Sequence, residues 1–411
     1  MTTDKLCAPD LCTGCFTCKQ VCAKGAIHIT EVKGFLYPEI DPSICVDCGL
    51  CSKICPVLTP ISGDELQGDN NSVSYAIWNR DVNDRINSSS GGTFSALANR
   101  ILKQGGVVYG AAWDDDMHLR HIGIEDVDEL DSLRRSKYVQ SNTDGIYINV
   151  KKQLTAERKV LFCGTPCQIA GLLSFLGKKD YPNLITAGVV CHGVPSQRLF
   201  DDYLHSIEEK ESINIYNCNF RSKEYGWRTG LNLVFQGKKR DGKLLRVNMM
   251  GSGNAFFRSF LKKYFLRESC YNCPFKEGEN KCHADIMLSD AWSLWANVPW
   301  KEFDFSKGIS AVATYSDKGK DFLNQCSDAL VIKERPYSEY ASNSGLRSSR
   351  KPQNNDIAYE YLKTHTWKKT QSMYFPLRLT DYFSDYSRVL LGENRSVLVK
   401  KFLSRIKIKH I

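Results

Sequence analysis

Cys12-Thr13-Gly14-Cys15-Phe16-Thr17-Cys18-Lys19-Gln20-Val21-Cys22 and, 33 residues on, Cys45-Val46-Asp47-Cys48-Gly49-Leu50-Cys51-Ser52-Lys53-Ile54-Cys55-Pro56 are two copies of one spacing, C-x2-C-x2-C-x3-C. The tight x2 gaps let three thiolates wrap one corner of an iron–sulfur cube. The fourth cysteine, carried off by the following turn of helix, reaches the neighbouring cube. The ligands therefore cross over: Cys12, Cys15, Cys18 and Cys55 are expected on one 4Fe-4S cluster, and Cys45, Cys48, Cys51 and Cys22 on the other. Such clusters move electrons.

Zinc knuckles and disulfides are the plainer uses of cysteine. Knuckles normally show two pairs with a longer gap, often with histidine, and the nearby His28 lies outside both runs. Disulfides need an oxidising compartment, whereas the polar opening, residues 1–6, leads into no apolar signal segment, so reduced thiols and a cytoplasmic location are expected. Cys7 falls outside the runs and reads as a bystander. Ala23 stands where the second run has Pro56, which alters a turn but removes no ligand. Residues 26–30 and 35–40 read as short strands closing over the clusters, so residues 1–60 form a small bacterial-type ferredoxin domain with an internal duplication.

At 411 residues the chain far exceeds a ferredoxin, and its 42% hydrophobic and 25% charged content suits a globular body with a real core. Residues 160–176 are the most apolar stretch, but Gly164, Thr165, Pro166, Gln168 and Gly171 interrupt them, which argues against a membrane span. A polar linker is expected at 61–72. Short apolar runs then alternate with helical stretches: strands at 74–78, 107–112, 160–163 and 184–190, helices at 94–103 and 168–176. The expected fold class is α+β / α/β, the ferredoxin domain fused to a mixed α/β domain. Residues 73–200 form its N-terminal α/β part and 201–345 its C-terminal part, in which 231–235 and 244–248 pair as strands.

The net charge of +9 is concentrated at the end, where residues 331–411 carry 16 Lys/Arg against 7 Asp/Glu. Residues 346–411 read as a basic helical tail. Its last part sets Val399, Phe402, Leu403 and Ile406 at helical spacing among Lys400, Lys401, Arg405, Lys407 and Lys409. Such an end suits peripheral contact with an anionic membrane, docking on an acidic partner, or a solvated helix packed on its own domain; nucleic-acid binding is not expected.

Ser88-Ser89-Ser90-Gly91-Gly92-Thr93 opens the helix beginning near Phe94, where free amides and the helix dipole favour an anion such as a diphosphate; a ligand-free helix cap is the plainer use. Loops at Gly164-Thr165-Pro166-Cys167 and Cys191-His192-Gly193 follow strands and converge on the same edge of a sheet. Cys270-x2-Cys273 has the shape of a metal-binding knuckle. With Cys191 and Cys167 it would make a third 4Fe-4S site, Cys163 or Cys282 being substitute ligands; a zinc knuckle with Cys282 and His283, or buried thiols, stay open on spacing alone.

The ordered series Ser90-Gly91-Gly92, Ser136-Lys137-Tyr138, Gly164-Thr165-Pro166-Cys167-Gln168, Cys191-His192-Gly193-Val194-Pro195-Ser196, Phe220-Arg221-Ser222-Lys223 with Gly226-Trp227, Cys270-x2-Cys273, and Ala284-Asp285-Ile286 through Asp290-Ala291-Trp292 resembles the family of beta subunits of the deazaflavin coenzyme (F-420) hydrogenases and dehydrogenases over residues 5–350. The resemblance implies an FAD in the α/β domain and a third cubane beside it. FAD would be held by Ser90, Gly91, Gly92, Thr93, Lys137, Gly164, Thr165 and Pro166, and the cubane by Cys167, Cys191, Cys270 and Cys273. Where the family usually reads Gly-Asp-Phe-Trp-Gly, this chain has Ser289-Asp290-Ala291-Trp292-Ser293. That departure and the basic tail resemble the bacterial branch and leave the hydride partner open between deazaflavin, nicotinamide and an organic substrate.

A flavin exchanges single electrons with clusters and a hydride with substrate, so the expected activity is that of an iron–sulfur flavoprotein oxidoreductase served by a ferredoxin-like donor or acceptor. His192, beside a proposed ligand, is the candidate catalytic acid, against the plainer role of hydrogen bonding to sulfur or a carbonyl. Two other readings stand beside this one: a non-catalytic electron-delivery subunit of a partner enzyme, and a zinc-stabilised binding module with a basic tail. Asp290 is expected to cap a helix or to pair with an arginine such as Arg221.

Overall fold

The duplication in the cysteine spacing recurs in the backbone. Gly14 and Asp47 take left-handed φ values of 69° and 61°, and Phe16 and Gly49 take 57° and 68°. Each pair is separated by the same 33 residues as the runs. Helices Thr17–Val21 and Leu50–Lys53 begin directly after these turns and carry the third cysteine of each run. The left-handed turn costs a non-glycine residue on the order of 1 kcal/mol, and burial of the Phe16 ring offsets it. The computed structural model describes residues 6–60, 73–227, 232–249, 251–276, 284–292, 303–379 and 381. The expected linker, Cys282, His283 and the amphipathic end beyond 381 lie outside the described residues.

Strands β1 (Ile27–Val32) and β2 (Phe35–Ile40) form an antiparallel hairpin with Ile27 opposite Ile40. Lys33 and Gly34, both at positive φ, make its two-residue turn. A side chain at Gly34 would meet Ser196 and Arg198 at 2.7 Å, so the hairpin tip rests on the start of the helix Gln197–Glu211 in the body.

The body is organised by one eight-stranded sheet. Its strands are β3 (Val73–Asn79), β4 (Val107–Trp113), β5 (Leu119–Ile124), β6 (Val160–Gly164), β7 (Leu184–Val189), β11 (Ile286–Asp290), β12 (Ser310–Thr314) and β13 (Leu330–Arg335). The order is β13-β3-β12-β11-β7-β6-β4-β5. β4, β6, β7 and β11 are parallel neighbours, and β5, β12, β3 and β13 join antiparallel. Both parts of the body thus build the same sheet. Alternation along the strands splits the core: Val107, Tyr109, Val160 and Phe162 pack with Val150 and Leu172 of the helices Ile146–Thr155 and Pro166–Phe175. Val108, Leu161 and Ile185 face the helix Thr93–Leu102 on the opposite side.

A second, three-stranded sheet holds β8 (Asn214–Ser222), β9 (Asn232–Lys238) and β10 (Leu244–Met249), all antiparallel. The expected pairing of the last two occurs, with Leu244 opposite Lys238. Its apolar face packs on Gln197–Glu211, on Ala255–Leu261 and on the described part of the basic tail, whose helices Asn355–Thr364 and Trp367–Tyr374 bury Ala358 and Trp367. Among the described residues no helix is long and apolar enough to cross a membrane.

Candidate functional site

The first cysteine run is drawn together with the last cysteine of the second. Burial pushes the Cys15 thiol up to about 11, with Cys12 and Cys55 acting in the same direction. Burial raises Cys18 as well, and Cys15, Cys12 and Cys55 add to it. Cys12, Cys15, Cys18 and Cys55 line one small cavity together with Cys51, a cysteine expected on the other cluster. Thiolates crowded this way repel one another until a cation sits between them. Cys7 lines the same cavity and hydrogen bonds to Cys55, whose thiol that contact draws down to about 6. Cys7 carried no spacing signal, and only the fold puts it there. Of the other four, Cys22, Cys45 and Cys51 are half-buried and Cys48 is exposed.

A far larger cavity, about 990 Å³, opens at the carboxyl edge of β4, β6, β7 and β11, where ligands of open α/β sheets bind. Ser90, Gly92, Thr93, Lys137, Gly164, Thr165, Pro166, His192, Cys167, Cys191, Cys270 and Cys273 all line it. Gly91 does not. It is pressed onto the sheet, where a Cβ would come 2.6 Å from Ser310 N and into Ile77 O, and its amide donates to Ser310 Oγ at 3.0 Å. Ser90 donates to Ile309 O at 2.7 Å, which holds the loop to the start of β12. Gly92 caps the helix Thr93–Leu102 in the left-handed conformation and, as a glycine, supplies no side-chain cap to its first amides.

The four body cysteines form one group. Burial raises Cys167, followed by Cys273, with Cys191 and Cys270 also contributing. Cys270 is pushed up to about 12 by burial, then by Cys191 and Cys273. Cys163 lines the cavity too, yet the charge acting on it is that of Lys137 rather than of another cysteine. Gln168 accepts the Thr165 amide at 2.9 Å, pinning the turn that presents Cys167. Gly193, at φ 120°, donates its amide to Cys191 Sγ at 3.4 Å.

Three buried polar atoms on the lining, Thr93 Oγ1, Arg221 Nε and Lys276 Nζ, have no hydrogen-bond partner among the described residues. Lys137 donates to Arg134 O at 2.8 Å, and burial, aided by Arg135, draws its ammonium down to about 7. His192 Nε2 lies 3.3 Å from Ser344 Oγ, and its carbonyl accepts from Ser349 at 2.6 Å. Burial, then Lys263 and Lys276, hold its imidazole down at about 4. Arg221 pairs with Asp290, one of the two roles expected for that carboxylate, and Trp292 stacks on the buried Trp227 at 4.5 Å. His121, which no sequence pattern marks, lines the same cavity, its Nε2 3.0 Å from Cys163 O and its Nδ1 2.9 Å from Ser141 Oγ.

A dicluster-type cysteine unit built onto an α/β body with a large strand-end cavity defines an iron–sulfur electron-transfer protein of the oxidoreductase kind. Residues 157–340 match the family of the C terminus of the coenzyme F420 hydrogenase/dehydrogenase beta subunit, and residues 11–58 match "4Fe-4S dicluster domain". Residues 157–340 thus resemble the C-terminal part of coenzyme F420 hydrogenase/dehydrogenase beta subunits, and they follow an N-terminal 4Fe-4S dicluster domain. It is 22% identical over 343 residues to the F subunit of the F(420)H(2) dehydrogenase of Methanosarcina mazei, covering 80% of this chain and 85% of that protein. It is 42% identical over 41 residues to "Ferredoxin 7Fe" of Hydrogenibacillus schlegelii, 10% of this chain and 47% of that protein. A chain of the F420-reducing NiFe hydrogenase complex from Methanosarcina barkeri superposes with a TM-score of 0.41 at 17% identity, covering 76% of this chain and 93% of that one.

Proposed function

We propose that the protein is an iron–sulfur flavoprotein oxidoreductase. The N-terminal cysteines would hold two cubanes and Cys167, Cys191, Cys270 and Cys273 a third, which would supply single-electron transfer between a ferredoxin-like partner and the large cavity, where two electrons and a proton would make up a hydride, or the reverse. The observation that carries this reading is that the four cysteines share one cavity wall with Ser90, Gly92, Thr93, Lys137 and the 164–166 turn. FAD bound there would supply the exchange between one-electron and hydride chemistry. The chain's own residues suit it. The helix start at Gly92 and Thr93, the Thr93 hydroxyl left without a partner among the described residues and Lys137 on the same wall favour an anionic diphosphate. Lys276, its ammonium unpartnered among the described residues and acting on Cys270 and Cys273, offsets the charge of a cubane on those thiolates. His192, held neutral near pH 7, suits accepting or relaying a hydrogen bond at the cavity wall better than the acid role expected from the sequence.

Ordering follows from exposure. Cys48 is exposed, which favours the Cys45 set as the entry point for an external donor, whereas Cys12 and Cys15 contact Arg267, Thr143 and Gly171 of the body. The relative from Methanosarcina mazei is a component of a dehydrogenase, which supports a partner enzyme for this chain as well. The deciding experiment is anaerobic purification with iron, sulfide and flavin quantified. A brown protein with about twelve iron atoms and FAD supports the proposal, about eight iron atoms would leave the body cysteines without a cubane, and a colourless zinc protein would refute it. Reduction is then tested with reduced ferredoxin, reduced nicotinamides and reduced deazaflavin. Clusters that reduce without any hydride acceptor turning over would make the chain an electron-delivery subunit.

A further inference from the structure

Arg267 is among the largest fully buried side chains of the protein, 1% exposed. Its backbone amide donates to Val194 O at 2.9 Å and its own carbonyl accepts from Cys270, so it ties together the two loops that bear Cys191 and Cys270. The side chain crosses into the ferredoxin unit. Nε donates to Cys12 O at 2.7 Å, Nη2 to Leu36 O at 3.1 Å and toward Cys12 Sγ at 3.8 Å, and Nη1 to Gln140 Oε1 at 3.0 Å. The guanidinium lies 4.1 Å from the Tyr37 ring centre. Gly14 makes room for it, since a Cβ there would fall 2.9 Å from Nη1.

Among the described residues no carboxylate lies within ion-pair distance of Arg267, so a permanent cation is buried against carbonyls, one amide, the rings of Phe35 and Tyr37 and one sulfur. Leaving such a charge uncompensated in a dry site is expensive. A cubane ligated through Cys12 is a net anion that gains one further negative charge when it accepts an electron, so a cation fixed on its ligand sulfur favours the reduced form more than the oxidised one. Among the described residues no arginine or lysine nitrogen bonds to Cys22, Cys45, Cys48 or Cys51 as Arg267 does to Cys12.

We infer that Arg267 is a positioning residue that raises the reduction potential of the cluster on Cys12, Cys15, Cys18 and Cys55 above that of its neighbour, so that electrons collect on the cluster nearest the body. This rests on the reading of those four cysteines as ligands of one cubane.

The test is a potentiometric titration of the anaerobic holoprotein followed by electron paramagnetic resonance, with iron and sulfide measured in every sample. Arg267→Met keeps bulk and removes charge, Arg267→Lys keeps charge without the fork, and Gln140→Glu sets a carboxylate against the guanidinium while leaving Arg267 in place. In Arg267→Met one cluster should become harder to reduce, its oxidised-to-reduced ratio at a fixed potential rising about tenfold, which is about 59 mV for one electron. Arg267→Lys should restore part of the shift and Gln140→Glu should move the same cluster the same way, the other clusters staying put. Unchanged potentials at full iron content overturn the inference, as does loss of iron from both Arg267→Met and Gln140→Glu, which would make the residue merely structural. A wild-type protein without cubane signals fails the underlying ligand reading instead.

Discussion

Arg221 grips Asp290 through two N–H···O bonds of 2.8 and 3.2 Å, and the same guanidinium donates to the Tyr138 hydroxyl at 3.1 Å. The pair joins the end of β8 to the end of β11 at the cavity wall, with the Arg221 side chain only 3% exposed. Asp290→Asn leaves that buried cation unpaired, and a loss of about 3 kcal/mol is expected. Chemical denaturation compared with the wild type reads it; a loss within experimental error would show that solvent reaches the pair.

His121 predicts a pH dependence. Burial holds its imidazole down at about 4 from the usual 6.5, so the folded state binds fewer protons than the unfolded one between those values. Its contribution is therefore complete above about pH 6.5 and is lost as pH falls toward 4, by up to about 3 kcal/mol. His121→Gln should flatten the acid limb of the stability profile measured against wild type, and an unaltered slope would contradict the assignment.

Gly171 is where the ferredoxin unit touches the helix that presents Cys167. A Cβ there would fall 2.8 Å from Thr17 Oγ1, 2.9 Å from Cys15 Cβ and 3.0 Å from the Tyr147 hydroxyl. Gly171→Ala ought to improve helix propensity yet cost about 1–3 kcal/mol through overpacking. Limited proteolysis should release the N-terminal unit faster; equal or slower release would mean that the contact yields.

Cys7 and Cys55 are adjacent thiols with different expected roles. Cys55→Ser should remove about four iron atoms per chain, whereas Cys7→Ala should keep the wild-type content. Iron loss from Cys7→Ala would make Cys7 the ligand and Cys55 the neighbour.

Cys273→Ser tests the body site independently of the ferredoxin unit. Iron should fall by about four atoms while the N-terminal cluster signals persist. A full iron content would leave the group Cys167, Cys191, Cys270 and Cys273 as buried thiols.

The cysteine spacing determined the dicluster-type unit at residues 11–58, because a cubane imposes short-range geometry that a local pattern can record. The hairpin 27–40 and the strands at 107–113, 160–164 and 184–189 were legible for a similar reason: apolar runs bounded by turn residues announce themselves within a few positions. The return of β11 to β13 into the first sheet was not, since their partners lie far away in the chain and no window of sequence holds both. The tertiary structure alone placed Gly91 behind the cavity, His121 on its wall and Cys7 against Cys55. It alone buried Arg267 between Cys12 and the loop of Cys270, because a side chain's burial and charge partners depend on which surfaces meet rather than on its neighbours in sequence.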